Sequence, residues 1–528
     1  HLKNNMDLLV KKLISDTYED FCRDVVTFQE TYGSRTKFEE LNNKELRKKL
    51  WDTLFSYLLD NTRSSVHHNC LSTLRILSRD KLDLNESISD ERIKVLLDNA
   101  HLLSMDQEKI SYTNVMIESL KVLCNLLFNS TKVQEILPTT SCLKCLIARM
   151  RKYNESVPSE VMLFDTRILF LITALSVPTR EIVKNEFNGD ECLIKMLENM
   201  YIQCEKDETQ TLKAEETMLA CEVLKTLFNL YLELDDTIVR EERSKNLVKI
   251  LYKFLTFKCP KEDELQSNIT NMLAVIPYNC YISIIPVADD NSKHTYQNVD
   301  MTAVSILLTF LDRRLNCKED LIGNLSPIVT SFIRLVEAER LIRKYVRLQI
   351  LPPLKDVMHR PEEGTTLRAK LCKLLTSPLT ELRDLVAEFL FILCKENVSR
   401  MVKYTGYGNA AGMFANKGLL GNNRKKPAYS SESEDSETEE YLQHKDKINP
   451  VTGCFEHPKP NPLEGMTEEQ KEYEALQLVG LVDKLTREGL VQPCRIGDDG
   501  KPKPIEHVLE LQEELPKQQY NSRDSDSD

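Results

Sequence analysis

Glycine is almost missing from most of this 528-residue chain: only Gly33, Gly189, Gly323 and Gly364 precede position 404. Glycine weakens helices and permits backbone angles that other residues avoid, so a body this poor in it suits long uninterrupted helices. Basic excess is missing too. Residues 421–528 hold 14 Lys and Arg against 24 Asp and Glu, which leaves 56 against 58 in the first 420. A nearly neutral body argues against nucleic-acid binding, which needs a cationic surface to neutralise phosphates. Apolar runs are broken by charge before about 18 residues, so neither a signal peptide nor a membrane span is expected. A disulfide framework is lacking as well: the 15 cysteines are scattered, mostly in apolar runs such as Cys124 and Cys394. Free cysteine packs as a small hydrophobe, and that usage fits a reducing cytosol. The single Cys-x-x-Cys pair, Cys142 and Cys145, has no second pair to complete a zinc site, so no metal is expected. There is no HExxH, no P-loop and no nucleophile–base constellation among the nine histidines. Covalent catalysis and a bound cofactor are therefore not expected.

Helical periodicity fills the space these absences leave. Leu71, Leu74, Ile76 and Leu77 follow it, as do Leu120, Leu123, Leu126 and Leu127, then Val223, Leu224, Leu227 and Phe228, and Val386, Phe389, Leu390 and Ile392. Strand-like alternation is scarce. Segments around Leu74–Arg79, Leu123–Asn129, Thr166–Leu171 and Leu224–Asn229 resemble one another, which places Arg75, Asn125, Arg167 and Lys225 at equivalent positions. Their spacing is near the period of armadillo and HEAT units, which bury their apolar faces by stacking. The expected fold is all-α: an armadillo/HEAT-like helical-repeat superhelix with a partly disordered acidic C-terminal tail that carries one amphipathic helix. Arg75 and Arg79, Asn125 and Asn129, and Lys225 and Asn229 are each four residues apart and share a helix face. On the innermost helices these residues, with Arg167, make a polar ladder along a groove. Asparagine amides can hold a peptide backbone and arginines a carboxylate; the competing reading is an ordinary solvated face. A second cationic set comprises Arg343, Lys344, Arg347, Arg360, Arg368 and Lys370. It fits either an acidic partner surface or a plain solvated face.

Organisation changes at the glycine cluster of 404–421, YTGYGNAAGMFANKGLLG. We divide the chain into residues 1–5, a remnant upstream of a start at Met6; a solenoid over 6–403; the glycine-rich junction 404–421; an acidic, phosphorylatable linker over 422–448; an extended segment plus amphipathic helix over 449–490; and a mostly disordered tail, 491–528. A dinucleotide-binding turn would need a strand before the glycines, and a helix precedes them here. Ser431 and Ser436 each have a glutamate three residues on, Glu434 and Glu439. That spacing suits an acidophilic, casein-kinase-type kinase, whose phosphates could dock on an Arg/Lys cluster; the alternative is a solubilising spacer. Thr467 and Gln470 form a capping box that opens a helix to about Arg487, with Gly489 placed to stop it. Its stripe of Ala475, Leu478, Val479, Val482 and Leu485 must dock either on the solenoid or on a partner. Contact with a partner is the preferred reading.

Several segments carry a family resemblance: LRILSRD at 74–80, LCNLLFNS at 123–130, ILPPL at 350–354, AEFLF at 387–391, KYTGYGNAAG at 403–412, INPVTG at 448–453 and NPLEGMTEEQK at 461–471. On these the chain resembles the synembryn family, also called resistance to inhibitors of cholinesterase, along nearly its whole length. The resemblance implies a folding chaperone and guanine-nucleotide exchange factor for heterotrimeric G-protein α subunits, and no covalent chemistry. It implies that the groove grips the Gα C-terminal helix, through Arg75, Arg79, Asn125 and Asn129 above all. GDP then leaves, and nucleotide-free Gα is held until GTP binds. It implies a tail that reaches the Ras-like domain, for which Met466, Leu478 and Val482 are the candidates, and stimulatory phosphorylation at Ser431 and Ser436. The expected protein is a cytoplasmic monomer that Gα recruits to the cell cortex or plasma membrane, with no nucleic acid and no direct membrane insertion. A passive armadillo-type adaptor that holds peptides without altering their owner is the competing function.

Overall fold

Five amphipathic helices lie side by side in the first part of the chain: α1 (Ser64–Leu77), α2 (Asn114–Asn129), α3 (Ser159–Leu175), α4 (Ala214–Tyr231) and α5 (Glu262–Leu273). Each packs along the next. The computed structural model describes residues 2–15, 17–41, 43–104, 110–154, 156–207, 209–232, 238–420 and 437–505. The fold is a helical repeat with three short two-stranded ribbons among the described residues. It divides into two compact units, residues 1–310 and 311–528, a boundary that falls inside the stretch expected to be one solenoid.

In the first unit, polar residues punctuate the helices and apolar spacing packs them. The Thr113 hydroxyl accepts the Met116 amide and opens α2. Ser130 then ends α2 and caps the following short helix through the Val133 amide, and Ser176 does the same after α3 through Thr179. Using one serine as both stop and start keeps helix directions tightly coupled from unit to unit. The apolar stripes meet in a continuous core that includes Leu74, Leu120, Leu123, Ile168 and Ile172. Each buried aliphatic side chain contributes about 1.5–3 kcal/mol. The Arg149–Asp165 ion pair is buried inside this unit. Arg149 donates to Asp165 through Nε at 2.8 Å and through Nη2, Tyr153 donates to the same carboxylate at 2.7 Å, and Arg149 Nη1 reaches the Ala100 carbonyl at 2.9 Å.

The second unit is built on α6 (Leu321–Ala338), packed against α7 (Thr380–Leu393). Among the described residues α6 alone is long and apolar enough to cross a membrane. Its length escaped the sequence reading because Arg334 and Glu337 interrupt the run. Leu325, Ile328, Val329, Phe332, Leu335 and Val336 form its buried face, and the Phe332 and Phe389 rings lie 5.8 Å apart. These are the contacts of a core helix.

The glycine cluster is not only a turn. Gly408 and Gly412 lie within α8 (Tyr407–Asn416), and Gly406, at φ +76°, separates it from the helix before. The chain returns here twice. Residues 448–455 form an antiparallel ribbon whose Pro450 and Val451 carbonyls accept the Tyr407 and Gly408 amides at 2.7 and 2.9 Å. A Cβ on Gly406 would lie 3.1 Å from the Val451 carbonyl oxygen and 3.2 Å from the Gly453 nitrogen. A second ribbon pairs Cys494–Ile496 with Pro502–Pro504, and its Gly500 carbonyl accepts the Leu420 amide at 3.2 Å. Within 491–528, expected to be mostly disordered, residues 494–504 carry this ribbon, and 506–528 lie outside the described residues. The capping box stands as read: α9 (Glu468–Arg487) starts at Thr467, whose hydroxyl accepts the Gln470 amide at 3.3 Å, and Gly489 ends it at φ +70°.

Candidate functional site

One groove in the first unit collects most of the polar ladder. It encloses about 580 Å3 and is lined by Arg75, Arg79, Lys121, Asn125, Phe128, Phe164, Arg167, Phe170, Glu222 and Lys225, with Cys124 and Leu171. Helices α1 to α4 supply these side chains, except that Arg79 lies in the turn just after α1 and not on the helix face expected for it. Cations and rings interleave: Lys121 lies 5.3 Å and Arg167 5.4 Å from the Phe164 ring centroid, and Lys225 lies 6.0 Å from that of Phe170.

Two glutamates that the sequence reading passed over organise the cations. Arg75 Nε donates to Glu118 Oε2 at 2.7 Å and Lys121 Nζ to Glu118 Oε1 at 3.3 Å. One repeat pair later Arg167 donates to Glu222 Oε1 at 2.9 Å and Lys225 to the same oxygen at 3.1 Å. Each buried carboxylate thus joins an arginine of the preceding helix to a lysine one turn along its own. Burial pushes the Glu118 carboxyl up, but the Arg75 hydrogen bond and charge, aided by Lys121, outweigh it and hold it below the ordinary glutamate value. Burial, and then the neighbouring Arg75 charge, lower Arg79.

The asparagines serve the scaffold more than the groove. Asn125 Nδ2 donates to the Arg75 carbonyl at 3.0 Å and to the Ser78 hydroxyl at 3.1 Å. Asn129 donates to the Ser78 carbonyl at 2.9 Å, and buried Asn229 to the Phe170 carbonyl and Thr173 hydroxyl. Amide donors expected to grip a foreign backbone are spent tying each helix to its predecessor. Asn129 and Asn229 do not line the groove. The glutamate contacts match Lys121 with Lys225, one turn from the match of Asn125 with Lys225 read from the sequence. Glu-x-x-Lys-x-x-x-Asn, read at 118–125 and 222–229, is the signal that would have found this. Arg79 is likewise committed, since its Nη1 donates to the carbonyls of Gly33 and Arg35 at 2.6 and 3.1 Å.

The other candidates lie in the second unit or outside the described residues. Leu478 on α9 is 62% exposed, Tyr473, Leu476 and Leu481 more than half, and no residue of that helix is buried. Met466 and Val482 are half-buried. Part of the second cationic set is used internally: Arg347 is buried, Arg343 Nη1 donates to the Val336 carbonyl at 2.7 Å, and Lys370 pairs with Asp312 at 2.6 Å. Ser431 and Ser436 lie outside the described residues.

A family model described as guanine nucleotide exchange factor synembryn matches residues 70–501, a span that includes the groove, the glycine junction and α9. The chain belongs to the synembryn family. Among the family's curated members, Chaperone Ric-8A of Xenopus tropicalis is 39% identical over 514 residues, covering 94% of this chain and 95% of its own length. Chaperone Ric-8A of Gallus gallus is 39% identical over 484 residues, covering 88% and 90%. Chaperone Ric-8 of Drosophila melanogaster is 34% identical over 545 residues, covering 92% and 94%. In this synembryn-family chain, then, the groove residues stand on a scaffold shared over nearly the whole of each relative.

Proposed function

We propose that the chain is a folding chaperone and guanine-nucleotide exchange factor for heterotrimeric G-protein α subunits, and that the groove of α1 to α4 takes the Gα C-terminal helix. The observation that carries this reading is the groove itself, in a chain of a family described as exchange factors. Five cations, Arg75, Arg79, Lys121, Arg167 and Lys225, stand over a floor of Phe128, Phe164 and Phe170. Such a surface suits an amphipathic helix with acidic groups or a terminal carboxylate on its polar edge and apolar side chains beneath.

Exchange follows from differential affinity. A groove that binds the C-terminal helix only when it has left its own sheet selects the open, nucleotide-free conformation of Gα. GDP is released because its site loses a supporting wall, and GTP reverses the process by favouring the closed form. The same grip shelters a nascent Gα whose helix is not yet packed. In this scheme α9 offers Leu478 and Val482 to the Ras-like domain, an acidophilic kinase acts at Ser431 and Ser436, and the protein works in the cytoplasm and reaches the membrane through Gα.

The test is direct. Added to GDP-loaded Gα, the protein should speed GDP release and GTP uptake, and in cell-free translation it should raise the yield of folded Gα. Unchanged rates together with unchanged folding would leave only the passive adaptor. Alanine at Ser431 and Ser436 should lower the exchange rate seen after kinase treatment, and no difference from the treated parent would remove the phosphoregulatory part.

A further inference from the structure

The two glutamate centres differ in one respect. Ser72, one turn before Arg75, donates to Glu118 Oε2 at 3.2 Å, so both Glu118 oxygens are satisfied. At Glu222 both cations share Oε1, while Oε2 is buried without a hydrogen-bond partner among the described residues. The position matching Ser72, one turn before Arg167, is Phe164, which has no donor. Glu222 is only 5% exposed, yet it lines the groove beside Phe164 and Phe170. A buried carboxylate oxygen left unpaired is costly, more so than a neutral acceptor. The repeat therefore holds one internally closed centre and one that lacks a donor.

We infer that Glu222 is the specificity-determining acceptor of the groove, and that its unpaired Oε2, buried before docking, takes a hydrogen bond from an uncharged donor side chain, a carboxamide or hydroxyl, on the bound helix. This rests on the peptide-groove reading above and names the chemistry that the groove selects. Charge decides the class of donor. Glu222 already faces Arg167 and Lys225, and Arg75, Arg79 and Lys121 line the same groove. A third cation at Glu222 would enter an excess of positive charge, whereas an amide N–H or a hydroxyl fills the vacancy with no repulsion. Phe164 and Phe170 line the same groove and offer the oxygen no donor, so a partner that brings an apolar group leaves it unpaired.

The test is a double-mutant cycle between protein and peptide. The full chain is titrated with a peptide of the Gα C-terminal helix and with versions in which each Asn, Gln, Ser, Thr or Tyr is replaced singly by an apolar residue of similar size. One replacement should weaken binding to the parent protein about tenfold or more, the scale of a hydrogen bond to a charged group. The same replacement should cost little against Glu222→Gln, and little against Phe164→Ser, which supplies internally the hydroxyl that Ser72 gives to Glu118. If Glu222→Gln fails to fold, Phe164→Ser alone completes the cycle, with thermal melting as the check on its fold. Equal losses in parent and variants for every replacement would overturn the inference. Lys121→Ala with Lys225→Ala separates the two levels. Weakened binding with no coupling at Glu222 removes the acceptor role alone; unaltered binding in that double variant removes the groove reading.

Discussion

Asp165 receives two donors from Arg149 and one from Tyr153, and both members of the ion pair are buried. Burial lowers the Arg149 guanidinium, but the carboxylate beside it outweighs that and raises it overall. Asp165→Ala leaves a buried cation unpaired, and should cost about 3–5 kcal/mol of unfolding free energy in urea titration. At Glu118 the consequence depends on pH. Its folded-state value lies below the ordinary 4.5, so the stability it contributes is fully present above that pH and is lost as pH falls through the lower, folded value. Glu118→Gln should therefore melt earlier than the parent at neutral pH, and the gap should close in acid. A gap that widens in acid would reverse the assigned sign. Among the buried cysteines the largest cause of the shift is burial. It pushes Cys70, Cys221 and Cys372 up to about 12, whereas Cys494 is exposed. Brief alkylation of the native protein should mark Cys494 and leave those three thiols unmodified by peptide mass spectrometry.

At the scale of elements, the ribbon over α8 depends on a bare backbone. Gly406 combines a left-handed φ with a neighbour where its Cβ would be, so Gly406→Ala should cost about 1–3 kcal/mol. It should also speed hydrogen exchange at the Tyr407 and Gly408 amides, which the ribbon holds. Helix α9 behaves oppositely, since none of its residues is buried. Leu478→Glu should leave the melting temperature within a degree or so and still slow Gα exchange if this face meets the partner. How much of this was legible follows from range. Capping signals and 3.6-residue periodicity are local, so α2, α4 and α9 could be read directly, down to the Thr467 box. The Arg75–Glu118 and Arg167–Glu222 pairs join residues on different helices, and aligning the similar segments leaves both glutamates out. The asparagines were recognised as recurrent, but their carbonyl partners lie in the preceding helix, where sequence spacing gives no hint of who accepts. The returns of 448–455 and 494–504 onto the glycines are also long-range; in sequence the first reads as part of an extended segment and the second as part of a mostly disordered tail.

Across the whole molecule, function can be separated from folding by choosing charges that the scaffold does not need. Lys121→Ala with Lys225→Ala leaves Glu118 with Arg75 and Glu222 with Arg167. The double variant should melt close to the parent and bind the Gα C-terminal peptide about tenfold more weakly in calorimetry, chiefly through faster dissociation. Arg79→Ala is expected to confuse the two effects, because its guanidinium also holds the Gly33 and Arg35 carbonyls.

Leu420 is bonded to Gly500, and Glu437 lies between Lys403 at 3.8 Å and Lys445 at 3.0 Å, followed by Thr438 bonded to the Leu354 carbonyl. Both ends of the acidic run are therefore moored. Closing a chain between two fixed points grows dearer only logarithmically, by about 0.6 kcal/mol for each doubling of length. With Leu420 and Glu437 held in place, a change in the number of residues between them should cost the fold little, so insertions there are expected to leave the helices on either side where they are.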